Sequence, residues 1–205
     1  MGQANCFVTQ FPHRKSVLRG AFLLLGKKAY YKRMTILTYK GVKPTIDETA
    51  FVADNAAVIG DVVIGANVGI WYGCTLRGDV NVIRIGDGTN IQDGTVIHVA
   101  THGHGTHVGR DVTVGHMALL HDCTIEDGAY IGMQSCVMDG AVVEARAFVA
   151  AGALVTPNKR IPSGQLWAGR PAKYVRDLNE DDYKLMTWSG PHYVALAHEH
   201  KKTAL

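Results

Sequence analysis

Between residues 52 and 155 the chain repeats an aliphatic side chain about every six positions. These stand at Val52, Val58, Ile64, Ile70, Leu76 and Val82, then after a slip of three at Ile85, Ile91 and Ile97. They return at Val108, Val114 and Leu120, and again at Ile125, Ile131, Val137, Val143, Val149 and Val155. Four residues after the aliphatic comes a small side chain, as at Cys74, Val80, Thr89, Thr95, Ala118, Thr124, Ala141 and Ala153. Glycine often follows the aliphatic directly, as at Gly65, Gly86, Gly109, Gly115 and Gly132, where it is expected to relieve backbone strain at a turn. A helix repeats every 3.6 residues and a flat strand every two, so neither explains six. A parallel β-helix does: each hexad supplies one short strand and one corner, and three hexads, about 18 residues, close a triangular coil. Coils then stack at roughly the 4.8 Å spacing of paired strands. A β-sandwich would not turn at such regular intervals. Slips in the register near residue 83, over 98–107 and over 121–124 predict bulges or loops leaving the coil.

The repeat divides the chain into residues 1–33, a β-helix domain over 34–176 and a helical segment over 177–205. In the last segment Asn179 is an N-cap before Glu180, Asp181 and Asp182, whose charges favour a helix N-terminus. Ser189-Gly190-Pro191 predicts a break, with a second helix over 192–201 ending at Lys201 and Lys202. Tyr183, Leu185, Met186, Tyr193, Val194 and Leu196 are expected to pack on the β-helix or on a neighbouring copy.

The net charge of +3 conceals an asymmetry. Residues 1–33 hold seven basic side chains and no acid, which leaves −4 on the rest of the chain. That acidic body gives no reason to expect nucleic-acid binding. Residues 1–33 have the composition of a mitochondrial transit or membrane-surface segment, or of an upstream extension with Met34 as the true start. No apolar run is long enough to cross a bilayer, so any membrane contact is confined to residues 1–33. Cys6, Cys74, Cys123 and Cys136 show no CxxC spacing and read as free thiols in a reducing compartment. A bacterial cytoplasm is the first placement; the mitochondrial matrix or inner-membrane face is the second.

Of ten histidines, three sit in the repeat with a common logic. His98 and His121 follow the inward aliphatics Ile97 and Leu120 at equivalent phase, and His116 lies 18 residues after His98. All three should project outward. Three imidazoles around zinc leave a fourth position for water, the catalytic arrangement. Set on the outside of one prism, they need not converge within one chain but could do so across a subunit boundary; otherwise they are surface histidines. His102, His104 and His107 form a rival cluster in a glycine-rich loop, where no rigid element is expected to hold a metal.

Several strings together resemble the gamma-class carbonic anhydrases. They are Leu76-Arg77-Gly78-Asp79, Asn90-Ile91-Gln92-Asp93-Gly94 with His98 following, Val114-Gly115-His116, Leu120-His121, and Trp167-Ala168-Gly169-Arg170-Pro171-Ala172-Lys173. The resemblance spans roughly residues 40–200 and implies a left-handed coil, a homotrimer, and reversible hydration of CO2 to bicarbonate between subunits. It implies that His98 and His121 of one chain and His116 of its neighbour hold a metal, usually zinc, with iron or cobalt as alternatives. It gives Arg77 and Asp79 an interface ion pair beside bicarbonate and makes Gln92 the residue that orients the attacking hydroxide. Asn90 and Asp93 are its polar neighbours, and Tyr193 is the C-terminal tyrosine that reaches the pocket.

The chain also departs from the archetype of that family, which carries glutamates for proton transfer beside the arginine–aspartate string and on the loop after the first histidine. Val80 stands at the first place, and residues 99–106 contain no acid. A loop histidine such as His102 or His104 would have to export the proton. Members in mitochondrial complex I also carry an N-terminal amphipathic segment. The second functional reading is therefore a weakly catalytic assembly subunit of the same fold. The third is an acyl-CoA transferase or thioesterase, which the paired histidines and the Asn-x-Gln-Asp string disfavour.

Overall fold

The computed structural model describes residues 36–203; the expectations for residues 1–33, and Cys6 with them, lie outside the described residues. The chain winds into a parallel β-solenoid of about seven turns followed by one helix. Stacking is in strict register. On one face Val58 pairs with Leu76, Leu76 with Ile97, Ile97 with Leu120, Leu120 with Val137 and Val137 with Val155. On a second face Ile70 pairs with Ile91, Ile91 with Val114 and Val114 with Ile131. On the third Ile64 pairs with Ile85, Ile85 with Val108 and Val108 with Ile125. Each column of aliphatics is buried. Successive strands bond to the coils above and below, so their backbone groups are satisfied without leaving the wall.

The repeat extends past both limits read from the sequence. Ile36–Leu37 and Thr45–Ile46 pair with the first long strand, Ala57–Ile64. Ile161 and Trp167 continue the inward columns at the far end. There Gln165–Ala168 pairs antiparallel with Lys173–Asp177, which closes the last coil.

Three of the expected register slips are real, and two move individual residues. Along the strand Thr75–Ile85, Gly60 pairs with Gly78 but Val62 pairs with Ile83, so three extra residues bulge out of the wall. Ile83 therefore takes the inward place expected of Val82, and Val80 points to solvent at 41% exposure instead of filling a corner. The loop 99–105 separates Val96–His98 from Thr106–Val108. Leu120 and Ile125 are five residues apart rather than six, so the buried small residue is Cys123 and Thr124 turns partly outward.

The glycines after the aliphatics serve a different purpose from the one expected. Gly86, Gly109 and Gly132 do not have positive φ; a Cβ there would collide with the backbone or a carboxylate of the next coil. The left-handed backbone falls two residues later, at Gly88 (φ 68°), Asp111 (φ 54°) and Gln134 (φ 58°). Close coil stacking, not turn strain, excludes side chains at the first set.

The C-terminal segment is one helix, Glu180–Thr203, that runs through Ser189-Gly190-Pro191 without a break. The expected cap is present: Asn179 Oδ1 accepts the N–H groups of Asp181 and Asp182, each at 3.0 Å, and Asp182 accepts the Asn179 N–H at 2.8 Å. Pro191 forfeits one helical hydrogen bond, but Ser189, Gly190 and Ala197 are buried on the second face, and that packing carries the helix through. Phe51, Trp71 and Tyr72 gather around His200, with Trp71 and His200 edge to face at 5.1 Å, and Tyr193 packs on the Trp71 ring. Leu185 faces solvent rather than the solenoid.

Cys74 and Cys123 are buried free thiols and Cys136 is half-buried. Burial pushes the Cys74 thiol up to about 12 and raises Cys123 further. At pH 8 a thiol of pKa about 12 is ionised in about one molecule in ten thousand, against about a quarter for an ordinary thiol near 8.5. Iodoacetamide should leave Cys74 and Cys123 unmodified in the native protein and label both in denaturant, as peptide mass mapping would read.

Candidate functional site

The ladder places His98 directly beside His121: the two are register partners at the ends of Val96–His98 and Leu119–His121. Their rings lie 5.2 Å apart, with His98 Nδ1 and His121 Nε2 separated by 3.2 Å. Each ring's other nitrogen meets a carboxylate. His98 Nε2 lies 3.1 Å from Asp79 Oδ1, and His121 Nδ1 lies 2.6 Å from Asp139 Oδ1. Carboxylates accept, so these contacts assign the ring protons to those two nitrogens. The neutral rings then turn one lone pair each toward the other across 3.2 Å. Two lone pairs repel at that distance unless a cation or a shared proton bridges them. Two Zn–N bonds of about 2.0–2.1 Å at the tetrahedral angle would hold their nitrogens about 3.3 Å apart. The pair therefore fits a divalent metal.

Asp79 sits at the start of the three-residue bulge, which carries it toward the His98 edge. Burial opposes its ionisation, but hydrogen bonds from Arg77 and His98 outweigh that and hold its carboxyl below the usual range. Arg77 Nη1 meets Asp79 Oδ2 at 2.5 Å, and the guanidinium remains half exposed. The Arg77–Asp79 pair thus lies within one chain and borders the histidines.

His116 lies at the opposite edge of the same solenoid face, at the corner leading into Leu119–His121. Its Nδ1 meets Asp93 Oδ2 at 3.0 Å, so all three histidines have a carboxylate on one ring nitrogen. Carboxylates in this position fix the tautomer and the orientation of the ring. Between the two edges the outer surface carries Val96, Leu119, Met117 at 62% exposure and Met133 at 50%. Within one chain, and among the described residues, no three His, Cys, Asp or Glu side chains converge to hold a metal.

Gln92 is nearly sealed in the wall, at 3% exposure. Its Nε2 donates to Asn90 Oδ1 at 3.0 Å, which leaves Oε1 as the acceptor end of the amide. Tyr193 lies on the helix and packs edge-on against Trp71 at 5.6 Å. Burial raises its phenol pKa, and the nearby Tyr130 and Asp93 add to the rise. The structure thus joins His98, His121, Asp79 and Arg77 in one group and His116 and Asp93 in another, with Tyr193 on the neighbouring face.

The loop bearing His102 and His104 is better anchored than its glycines suggest. The buried Asp122 carboxylate accepts the N–H groups of Gly105 at 2.9 Å and His104 at 3.4 Å. Asn81, in the bulge, donates to the carbonyls of Ala100 at 3.1 Å and Gly103 at 3.0 Å. His107 Nε2 donates to the His104 carbonyl at 2.9 Å, so the His107 ring also holds the loop's backbone.

Asp139 was not among the residues expected from the sequence. It stands 18 residues after His121, one coil on, so the repeat itself was the signal that could have found it. In metal-free protein, 15N NMR should find His121 in its Nδ1-protonated tautomer, and Asp139→Ala should release that preference while the fold is kept.

No family model matches the chain. Gamma carbonic anhydrase 1, mitochondrial, of Arabidopsis thaliana is 46% identical over 186 residues, covering 86% of this chain and 68% of that one. Gamma carbonic anhydrase 2, mitochondrial, of the same plant is 49% identical over 174 residues, covering 82% and 63%. The chain thus spans about two thirds of the length of these plant relatives. Protein YrdA of Escherichia coli is 41% identical over 163 residues, covering 76% and 88%. Among solved structures, a hexapeptide transferase family protein from Anaplasma phagocytophilum superposes with a TM-score of 0.78 at 48% identity, covering 82% of this chain and 98% of that one.

Proposed function

Because this chain belongs to the gamma carbonic anhydrase family, we propose that it catalyses the reversible hydration of carbon dioxide to bicarbonate at a metal centre completed by a neighbouring copy. The observation that carries this reading is the pair of facing nitrogens, His98 Nδ1 and His121 Nε2, each on a ring whose other nitrogen is held by an aspartate. His116 is the third ligand and comes from the next subunit of a homotrimer. The apolar strip of Val96, Met117, Leu119 and Met133 between the two histidine edges is the surface that such a contact would cover.

When bound, zinc lowers the pKa of water to about 7 and acts as a Lewis acid toward the carbon dioxide oxygen. The chain's own residues do the rest. Asp79 fixes His98 with its proton on Nε2, and Asp93 and Asp139 fix His116 and His121 with theirs on Nδ1, which leaves each ring one lone pair for the ligand position. Gln92 Oε1 accepts the hydrogen bond of the attacking oxygen and so turns a lone pair toward carbon. Arg77, half exposed beside Asp79, draws in and holds the anionic product. Proton export is the weak step, because Val80 extends to solvent where a carboxylate would serve and the loop 99–105 has no acid.

That deficiency favours a second reading, in which the trimer is an assembly subunit with little turnover. The names of the plant relatives favour the mitochondrial placement over the bacterial cytoplasm, and residues 1–33 have the basic, acid-free composition that suits it. Among the described residues no helix is long and apolar enough to cross a membrane.

A shared centre has a direct test. Chains bearing His116→Ala, reassembled with chains bearing His98→Ala, should regain metal, because one interface in each mixed trimer keeps an intact trio. Mixed trimers that bind no more metal than either parent would end the shared-site reading.

Stopped-flow hydration on metal-loaded protein should show a low kcat that rises with the concentration of a small buffer base, which substitutes for the missing general base. A high kcat independent of buffer would point to the loop histidines as the shuttle. No hydration in any buffer, with the metal fully loaded, would put the assembly reading first.

A further inference from the structure

The amide of Gln92 is the near end of a buried polar chain that leaves the solenoid. Gln92 Nε2 donates to Asn90 Oδ1 at 3.0 Å. Asn90 Nδ2 donates to Thr113 Oγ1 at 3.0 Å and, more weakly, to the Val112 carbonyl at 3.4 Å. Thr113 Oγ1 donates to Ser189 Oγ at 3.0 Å. All four side chains are buried, none above 3% exposure. The first three stand on the wall, and Ser189 stands on the C-terminal helix that covers it.

Each link has a direction. An amide that gives N–H at one end must accept at the other. A hydroxyl that has already spent its proton can only accept from a further donor. Thr113 spends its proton on Ser189, so toward Asn90 it offers only a lone pair. Asn90 must therefore turn its NH2 to Thr113 and its oxygen to Gln92. Gln92 must turn its NH2 to Asn90, which leaves its oxygen as the free acceptor end. If Ser189 no longer accepts, Thr113 is free to donate to Asn90 instead. Only the long contact to the Val112 carbonyl then opposes a flip of both amides, which would present an N–H to the site where an acceptor belongs.

We propose that Ser189 is a positioning residue: by accepting the Thr113 hydroxyl it sets the polarity of the Asn90–Gln92 pair and keeps Gln92 Oε1 turned toward the reaction. The C-terminal helix is on this view part of the site's wiring and not only a cover. The chain of contacts stands on its own geometry, and its direction is the assignment that the amide-exchange test reads; its effect on turnover rests on the hydration reading above.

The test uses the full chain with Ser189→Ala, Ser189→Thr and Thr113→Val. NMR follows exchange of the Gln92 and Asn90 side-chain amide protons. Ser189→Ala should speed exchange of the Gln92 NH2 about tenfold, the loss expected for one buried hydrogen bond. Thr113→Val should do the same without touching the helix, and adding Ser189→Ala to it should give no further change. Ser189→Thr, which keeps the hydroxyl acceptor, should restore wild-type exchange. In metal-loaded protein Ser189→Ala should lower kcat toward that of Gln92→Ala with metal content unchanged. Unaltered Gln92 exchange in both Ser189→Ala and Thr113→Val would overturn the proposal, as would a general rise in exchange that Ser189→Thr fails to rescue. Faster exchange in a protein that shows no hydration at all would uphold the positioning and overturn the hydration reading instead.

Discussion

The backbone ladder between successive coils is the constraint on which everything else rests. Each strand is bonded to the coil before it and the coil after it, so a residue's height and face are inherited from its neighbours in the stack. Inward places go to aliphatics and corners to small side chains, and the columns Leu76–Ile97–Leu120 and Ile70–Ile91–Val114 follow. Chemistry is left with the outer places, which the ladder also stacks. His98 and His121 meet because they occupy the same outer place one coil apart. No loop has to be ordered to bring them together, so little conformational entropy is spent at the site itself.

The solenoid departs from its period where the site needs polar groups. The three-residue bulge after Gly78 carries Asp79 to His98 and sends Asn81 to the loop carbonyls. The short corner after Leu120 brings Asp122 inward, where its carboxylate gathers the loop's N–H groups. A perfectly regular coil would have had no place for either acid. The ladder absorbs the insertion and the shortened corner because strands on both sides resume register within a few residues, at Ile83 and Ile125.

The three faces have divided the remaining work. One is covered by the helix, with the aromatic group around Trp71 and His200 at one end and the Thr113–Ser189 contact nearer the middle. The face flanked by the histidines stays open and apolar. Gln92 follows the inward column on the covered face and is itself buried, and its amide is wired through Asn90 and Thr113 to the helix. Burial there makes a directed hydrogen-bond chain worth more than it would be in water, because an unmatched amide has no solvent to turn to.

The sequence by itself determined the solenoid, because a period of six is a local property of the chain and survives any uncertainty about long-range contacts. It also determined which histidines share a phase, since phase along the repeat is position in space. Roles for Arg77, Asp79 and Gln92 came from resemblance rather than from the period, and the period marked a slip near residue 83 yet placed Val80 at a corner of the wall it leaves. The glycines misled for a related reason: a missing side chain marks both a left-handed turn and a close approach, and only the stacked neighbour tells which. Ser189-Gly190-Pro191 looked like a helix break because its local propensity is poor, yet burial against the solenoid overrode it. Asp139 and Ser189 acquire their partners only when coils stack and the helix docks. Tertiary structure decided these because a hydrogen bond's direction and a ring's tautomer depend on the group across the contact, and that group lies 18 residues away for His121 and 76 for Thr113.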